Sequence, residues 1–86
     1  MAGIHERLAN SETFEATVQV SANVVFGSRT AKLTVTNDHP TENLRVELVK
    51  DQTITLKGTE TLSIPYRARS LVLKGDGVPY RVWGFW

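Results

Sequence analysis

Catalysis and metal binding need reactive side chains brought together, and this chain of 86 residues offers few of them. His5 stands beside Glu6, and His39 follows Asp38. An aspartate can orient an imidazole toward a serine, as in a catalytic triad. No nucleophile elbow leads into a helix here, however, and the neighbours of His39 are turn formers. His39 therefore reads as a solvated turn histidine, and the chain is not expected to be an enzyme. Without cysteine, and with two isolated histidines, it has no ligand set for a structural zinc. The acids of "TENLRVELVKD" are spread along a strand rather than spaced on a calcium loop. "KGDGVPYR" leads into a strand and not into a helix N-terminus, so it forms no phosphate cradle. No cofactor is expected.

The sequence does concentrate aromatic surface. "VPYRVWGFW", residues 78 to 86, holds four of the seven aromatic residues and both tryptophans. On a strand, Val78, Tyr80 and Val82 would share one face, while Pro79, Arg81, Trp83 and Phe85 would share the other. A strand in a two-layer sandwich finds a core on one side only. Burial of an aromatic side chain contributes about 2–3 kcal/mol, so Trp83, Phe85 and Trp86 call for a cover. Ile4 and Leu8, four residues apart in the N-terminal segment, could supply one within the chain. A second chain is the other candidate. The expected interface residues are thus Ile4, Leu8, Trp83, Phe85 and Trp86.

Charge is distributed unevenly. The formal net charge is +1, too low for a strongly basic nucleic-acid binder. Residues 1–60 contain six Lys/Arg against eight Asp/Glu, whereas residues 61–86 contain four against one. Arg67, Arg69 and Arg81 are therefore candidate contacts for an acidic partner. Tyr66 and Tyr80 fall on the apolar side of their strands, so the aromatic platform that single-stranded nucleic acid requires is lacking. No nucleic acid is expected as a partner.

The elements that must position these residues are strands. "FEATVQVSANVVF" alternates Ala16, Val18, Val20, Ala22 and Val24 against polar neighbours. "TAKLTVTND" and "NLRVELVK" do the same, followed by shorter runs around Ile54, Leu62, Leu71 and Tyr80. Period-two alternation marks half-buried strands. Gly27, Asn37-Asp38, Pro40, Asp51, Gly58 and Gly75-Asp76-Gly77 supply the turns. The fold class expected is all-β: a small antiparallel sandwich, immunoglobulin-like or jelly-roll-like, of six or seven strands over residues 14–86. Residues 1–13 lack the alternation and are expected to form an arm or short helix. Pro65 has no N–H for a ladder, which predicts a sheet edge, a bend and a change of sheet there.

"MAGIHERLAN" places Glu6 and Arg7 where a signal peptide would be apolar, and no run approaches the roughly 20 residues of a membrane-spanning helix. Synthesis in a cytoplasm and no membrane partner are expected. The stretch "TITLKGTETLSIPYRARSLVLKGDGVPYRVWG", residues 53 to 84, resembles the C-terminal halves of small β-sandwich virion proteins of tailed bacteriophages. Strand, "KG" turn, short apolar strand and final "YRV" strand follow in the same order. That resemblance implies a structural protein of the virion, above all a capsid decoration or cement protein. Its partners would be the major capsid or tail protein and copies of itself. The alternative expectation is a carbohydrate-binding or adhesion module of a tail fibre or cell surface, built around Trp83.

Overall fold

The structure, a computed structural model, describes residues 11–49 and 52–86. Of the arm or short helix expected over residues 1–13, residues 1–10, with Ile4 and Leu8, lie outside the described residues, and residues 11–13 are corrected to the start of a strand paired along the sheet. Eight strands follow in order: β1 (Ser11–Val18), β2 (Ser21–Val25), β3 (Lys32–Asn37), β4 (Leu44–Val49), β5 (Gln52–Leu56), β6 (Thr61–Ile64), β7 (Ser70–Lys74) and β8 (Val78–Phe85). They form two four-stranded sheets, ordered β1-β8-β3-β6 and β2-β7-β4-β5, with every pairing antiparallel. Consecutive strands thus alternate between sheets except at the β4–β5 hairpin. Of the two architectures expected, this is the jelly roll.

The expectation of six or seven strands is corrected to eight. The run from Phe14 to Phe26 reads as a single strand, but the chain turns at Gln19–Val20 and places β1 and β2 in different sheets. Both strands face the same core, so the alternation passes through the corner uninterrupted and no glycine or proline marks it. Val20, assigned by its parity to the buried face, is 78% exposed. At Pro65 the expectation holds. β6 is an edge strand that ends at Ile64, and residues 65–69 carry the chain across to β7 in the other sheet.

The inner faces meet in a core of thirteen buried apolar side chains drawn from both sheets, with Leu33, Val35, Leu44, Val46, Leu73, Val78 and Val82 fully buried. Phe14 and Phe26 close one flank edge to face, their ring centroids 5.5 Å apart. The Glu12 carboxylate accepts a hydrogen bond from the Gly27 amide beside them.

Two buried polar residues flank the central strand β3. At its start, the Thr30 hydroxyl donates to the Tyr66 carbonyl (2.7 Å) and accepts from the Ala68 amide (3.0 Å), which ties β3 to the sheet-crossing segment. At its end, the Asn37 Nδ2 amide group lies within hydrogen-bond distance of the carbonyls of Glu42 (2.7 Å), Leu56 (3.0 Å) and Lys57 (3.1 Å). Asn37 Oδ1 accepts from the His39 amide at 2.9 Å. One side chain so holds the β3–β4 loop against the β5–β6 turn.

That turn is itself unusual. Glu60 N–H donates to the Lys57 carbonyl at 3.0 Å, and Thr59 sits third in the turn at φ 69°. Glycine would suit that conformation, yet the glycine stands one place earlier. A Cβ on Gly58 would lie 2.4 Å from the Pro40 carbonyl oxygen, so the close approach fixes glycine there.

Two stability outcomes follow. Asn37→Ala leaves buried carbonyls without donors and is expected to lower unfolding free energy by roughly 3 kcal/mol in urea titration. Thr59→Gly relieves a β-branched residue from positive φ and is expected to raise it by about 1 kcal/mol in the same measurement.

Candidate functional site

β8 is the inner strand through which the site is built. It pairs with β1 on one side and β3 on the other, so its outward residues stand in the middle of the sheet. Val78, Tyr80 and Val82 point inward and are buried; Arg81 and Trp83 point outward, Trp83 being 40% exposed. The division of this strand into a core-facing and an outward set, as read from the alternation, is the one observed.

Strand register assembles the surroundings of Trp83. Thr13 of β1 and Thr34 of β3 are its direct neighbours across the sheet, and Ser63 of β6 stands beyond Thr34. The next row reads Glu15, Arg81, Thr36 and Thr61. Hydroxyls couple across β3 and β6, with Thr34 Oγ1 3.2 Å from Ser63 Oγ and Thr36 Oγ1 3.1 Å from Thr61 Oγ1. Such cross-strand pairs set the rotamers of the row. Between Thr13, Thr34, Thr36, Arg81 and Trp83 lies an open hollow of about 290 Å³.

Arg81 is not a free cation. Its Nε and Nη2 donate to Asp38 Oδ2 (2.8 Å) and Oδ1 (3.0 Å), a two-point contact that fixes the guanidinium plane. Hydrogen bonding to Asp38, then the attraction of the same carboxylate and, last, that of Glu15, raises the Arg81 pKa above its ordinary value. Phe85 continues the outward row beyond Trp83, their rings tilted with centroids 5.0 Å apart. Its carbonyl accepts from the Ala31 amide, so the end of the strand is pinned to the start of β3. Phe85 and Trp86 are half-buried.

Other expected site residues lie elsewhere. Arg67 and Arg69 are exposed on the segment that crosses between sheets, away from the Asp38-bound Arg81. His39 Nδ1 accepts from the amides of Thr41 (3.0 Å) and Glu42 (2.9 Å), which makes this imidazole a cap for its own loop. Among the described residues no three His, Cys, Asp or Glu side chains converge. A second open hollow, of about 480 Å³, lies at the loop end of the other sheet, where Glu42, Arg45 and Asp76 gather with Gln19 and Asn43.

The hydroxyl carpet escaped the sequence reading. Thr34 and Thr36 are visible as the polar parity of β3, but their pairing with Trp83, Ser63 and Thr61 joins residues 25 to 49 positions apart in sequence. No local pattern encodes that register.

Against known proteins, no family model matches the sequence, and no curated protein matches it. Solved structures do resemble it. A protein from Neisseria meningitidis superposes with a TM-score of 0.62 at 8% identity, over 90% of this chain and 76% of that one. An RmlC-like cupin protein from Desulfovibrio desulfuricans gives 0.62 at 14%, over 88% and 72%. A cupin superfamily protein from Desulfitobacterium hafniense gives 0.57 at 12%, over 88% and 66%. Identity at this level shows the fold alone: the chain is a small cupin-like jelly roll.

This overturns the resemblance of residues 53–84 to phage virion proteins. Structures that share the fold include bacterial proteins named as cupins. The stretch spans β5 to β8, and its rhythm of short strands and glycine turns is what jelly-roll connections impose on a sequence of any origin. The capsid-decoration role drawn from it falls.

Gly84 follows Trp83 on the inward face of β8. A Cβ there would lie 2.6 Å from Phe26 Cε1 and 2.7 Å from Thr30 Cγ2. Gly84→Ala is accordingly expected to cost about 1–3 kcal/mol, read as a lowered midpoint in thermal unfolding with a shifted tryptophan emission.

Proposed function

We propose that this chain is a non-catalytic, cupin-fold module that binds a small molecule on its outer surface, in the hollow around Trp83. The observation that carries this reading is the state of the interior. The space between the sheets is filled by the thirteen apolar side chains of the core. The polar residues buried with them, Thr30 and Asn37, are already engaged with backbone groups. A jelly roll with a closed interior works through its faces or its loops.

Of the two surface hollows, the one at Trp83 is the more ordered. Its floor is an inner strand, its hydroxyls are held in pairs, and its guanidinium is fixed by two hydrogen bonds. Ligand sites join an apolar contact surface to a few placed polar groups, and the indole and the threonine rows supply both. Because Asp38 neutralises Arg81, the hollow favours an uncharged ligand with a flat face that stacks on the indole.

The test is a fragment set of uncharged planar heterocycles, followed by NMR at the Trp83 indole N–H. Shifts are expected at Trp83, Thr13 and Thr34. Trp83→Ala should weaken binding roughly tenfold or more, since a stacked ring contributes about 1 kcal/mol or more beyond its buried area, while thermal stability changes little. Shifts confined to Glu42, Arg45 and Asp76 would move the site to the loop hollow, and a set without any binder would overturn the reading.

A further inference from the structure

A jelly roll has four sheet edges, and each exposes backbone groups that another strand can pair with. Three edges here are guarded. β1 carries Glu12 and Glu15. β6 is only four residues long and stops before Pro65. β5 follows a register shift between Glu47 and Val49 and is flanked in sequence by Asp51 and Lys57. β2 has none of these protections. No charged residue and no proline occurs from Ala16 to Ser28, and β2 pairs with β7 alone among the described residues. Val20 at its entry and Val25 at its end are 78% and 61% exposed, the two most exposed large apolar residues described.

The backbone polarity of this edge follows from its inner bonds. Phe26 N–H donates to the Arg69 carbonyl at 2.8 Å, and the Val20 carbonyl accepts from Gly75 N–H at 3.3 Å. Ala22 pairs with Leu73 and Val24 with Leu71 in the same register. Even-numbered residues therefore direct N–H and C=O toward β7. By the alternation of an antiparallel ladder, Ser21, Asn23 and Val25 direct theirs to the open side.

We propose that β2 is a homodimerisation edge: a second copy of this chain pairs its own β2 antiparallel across a two-fold axis at Asn23. Asn23 then faces Asn23 of the partner, and Ser21 faces Val25. The three residues with outward backbone groups are the three that such a ladder uses, so each gives and receives a hydrogen bond. A two-fold interface sets every residue against its own surroundings, and an edge strand without charge meets no like charge there. The pairing joins two β2-β7-β4-β5 sheets into one eight-stranded sheet, and Val25 gains cover from the partner strand. The Trp83 hollow lies on the other sheet and stays open, so this inference stands apart from the ligand site.

Sedimentation velocity over a concentration series reads the outcome on the full chain. The wild-type chain is expected to reach a dimer that goes no further. Asn23→Lys sets two cations together at the axis, and Asn23→Pro removes an N–H that the β2–β7 ladder does not use. Both should leave a folded monomer, by NMR dispersion, at concentrations where the wild-type chain is dimeric. Asn23→Thr and Trp83→Ala should remain dimeric. Amide exchange at Ser21, Asn23 and Val25 should slow with rising concentration, while Ala22 and Val24 are protected throughout. A monomer at every concentration, a dimer that survives both disruptive variants, or open-ended aggregation would overturn the proposal.

Discussion

The Asn37 side chain holds together pieces of the molecule that apolar packing alone would leave adjacent but unfixed. It is fully buried at the end of the central strand β3, where three backbone carbonyls and one amide converge on it. An unpartnered buried carbonyl costs on the order of 1–3 kcal/mol, and a domain of this size is stable by only about 5–10 kcal/mol. The amide group thus decides whether the β3–β4 loop closes on the β5–β6 turn. The same loop carries Asp38, the residue that fixes Arg81 on the outer face. A buried contact on one side of the sheet thereby sets the geometry of an exposed one on the other.

Thr30 does the corresponding work at the opposite end of β3. Its hydroxyl and its amide both engage the 65–69 crossover, and its methyl group lies under Gly84. β3 is therefore locked at both ends, and β8 lies flat between β1 and β3. Trp83 is presented from an inner strand, where strand pairing on both flanks restricts movement. A platform on an edge strand would lack that support.

The sequence disclosed what depends on parity within a single strand and hid what depends on register. The inward set Val78, Tyr80 and Val82 and the outward set Arg81, Trp83 and Phe85 follow from alternation within one strand. Pro65 marks its edge and its crossing through a missing N–H. The corner at Gln19–Val20 was illegible because the strands on both sides of it face one core. The hydroxyl rows were illegible because they join β1, β3, β6 and β8, which the jelly-roll connections separate widely along the chain. The aromatic C-terminus, so conspicuous in the sequence, proved to be an inner strand: Phe85 is bonded to β3 and half-covered, and only Trp83 remains substantially open.

A filled interior changes what this fold can do. In a two-layer β-structure of 86 residues, the apolar surface needed for stability competes with the space a ligand would need between the sheets. Most inward positions in the middle of these strands are given to packing, and the polar residues that remain inside, Thr30 and Asn37, are fully engaged with backbone groups. Recognition is then confined to features that cost the core nothing: an outer sheet face, a ring of loops, or a sheet edge. The first two demand preorganised side chains, which the Trp83 face has through its paired hydroxyls and bound guanidinium. The third demands only backbone groups and the absence of repulsion, which the uncharged β2 provides. Because the two proposed surfaces belong to different sheets and share no residue, association at one and ligand binding at the other would vary independently.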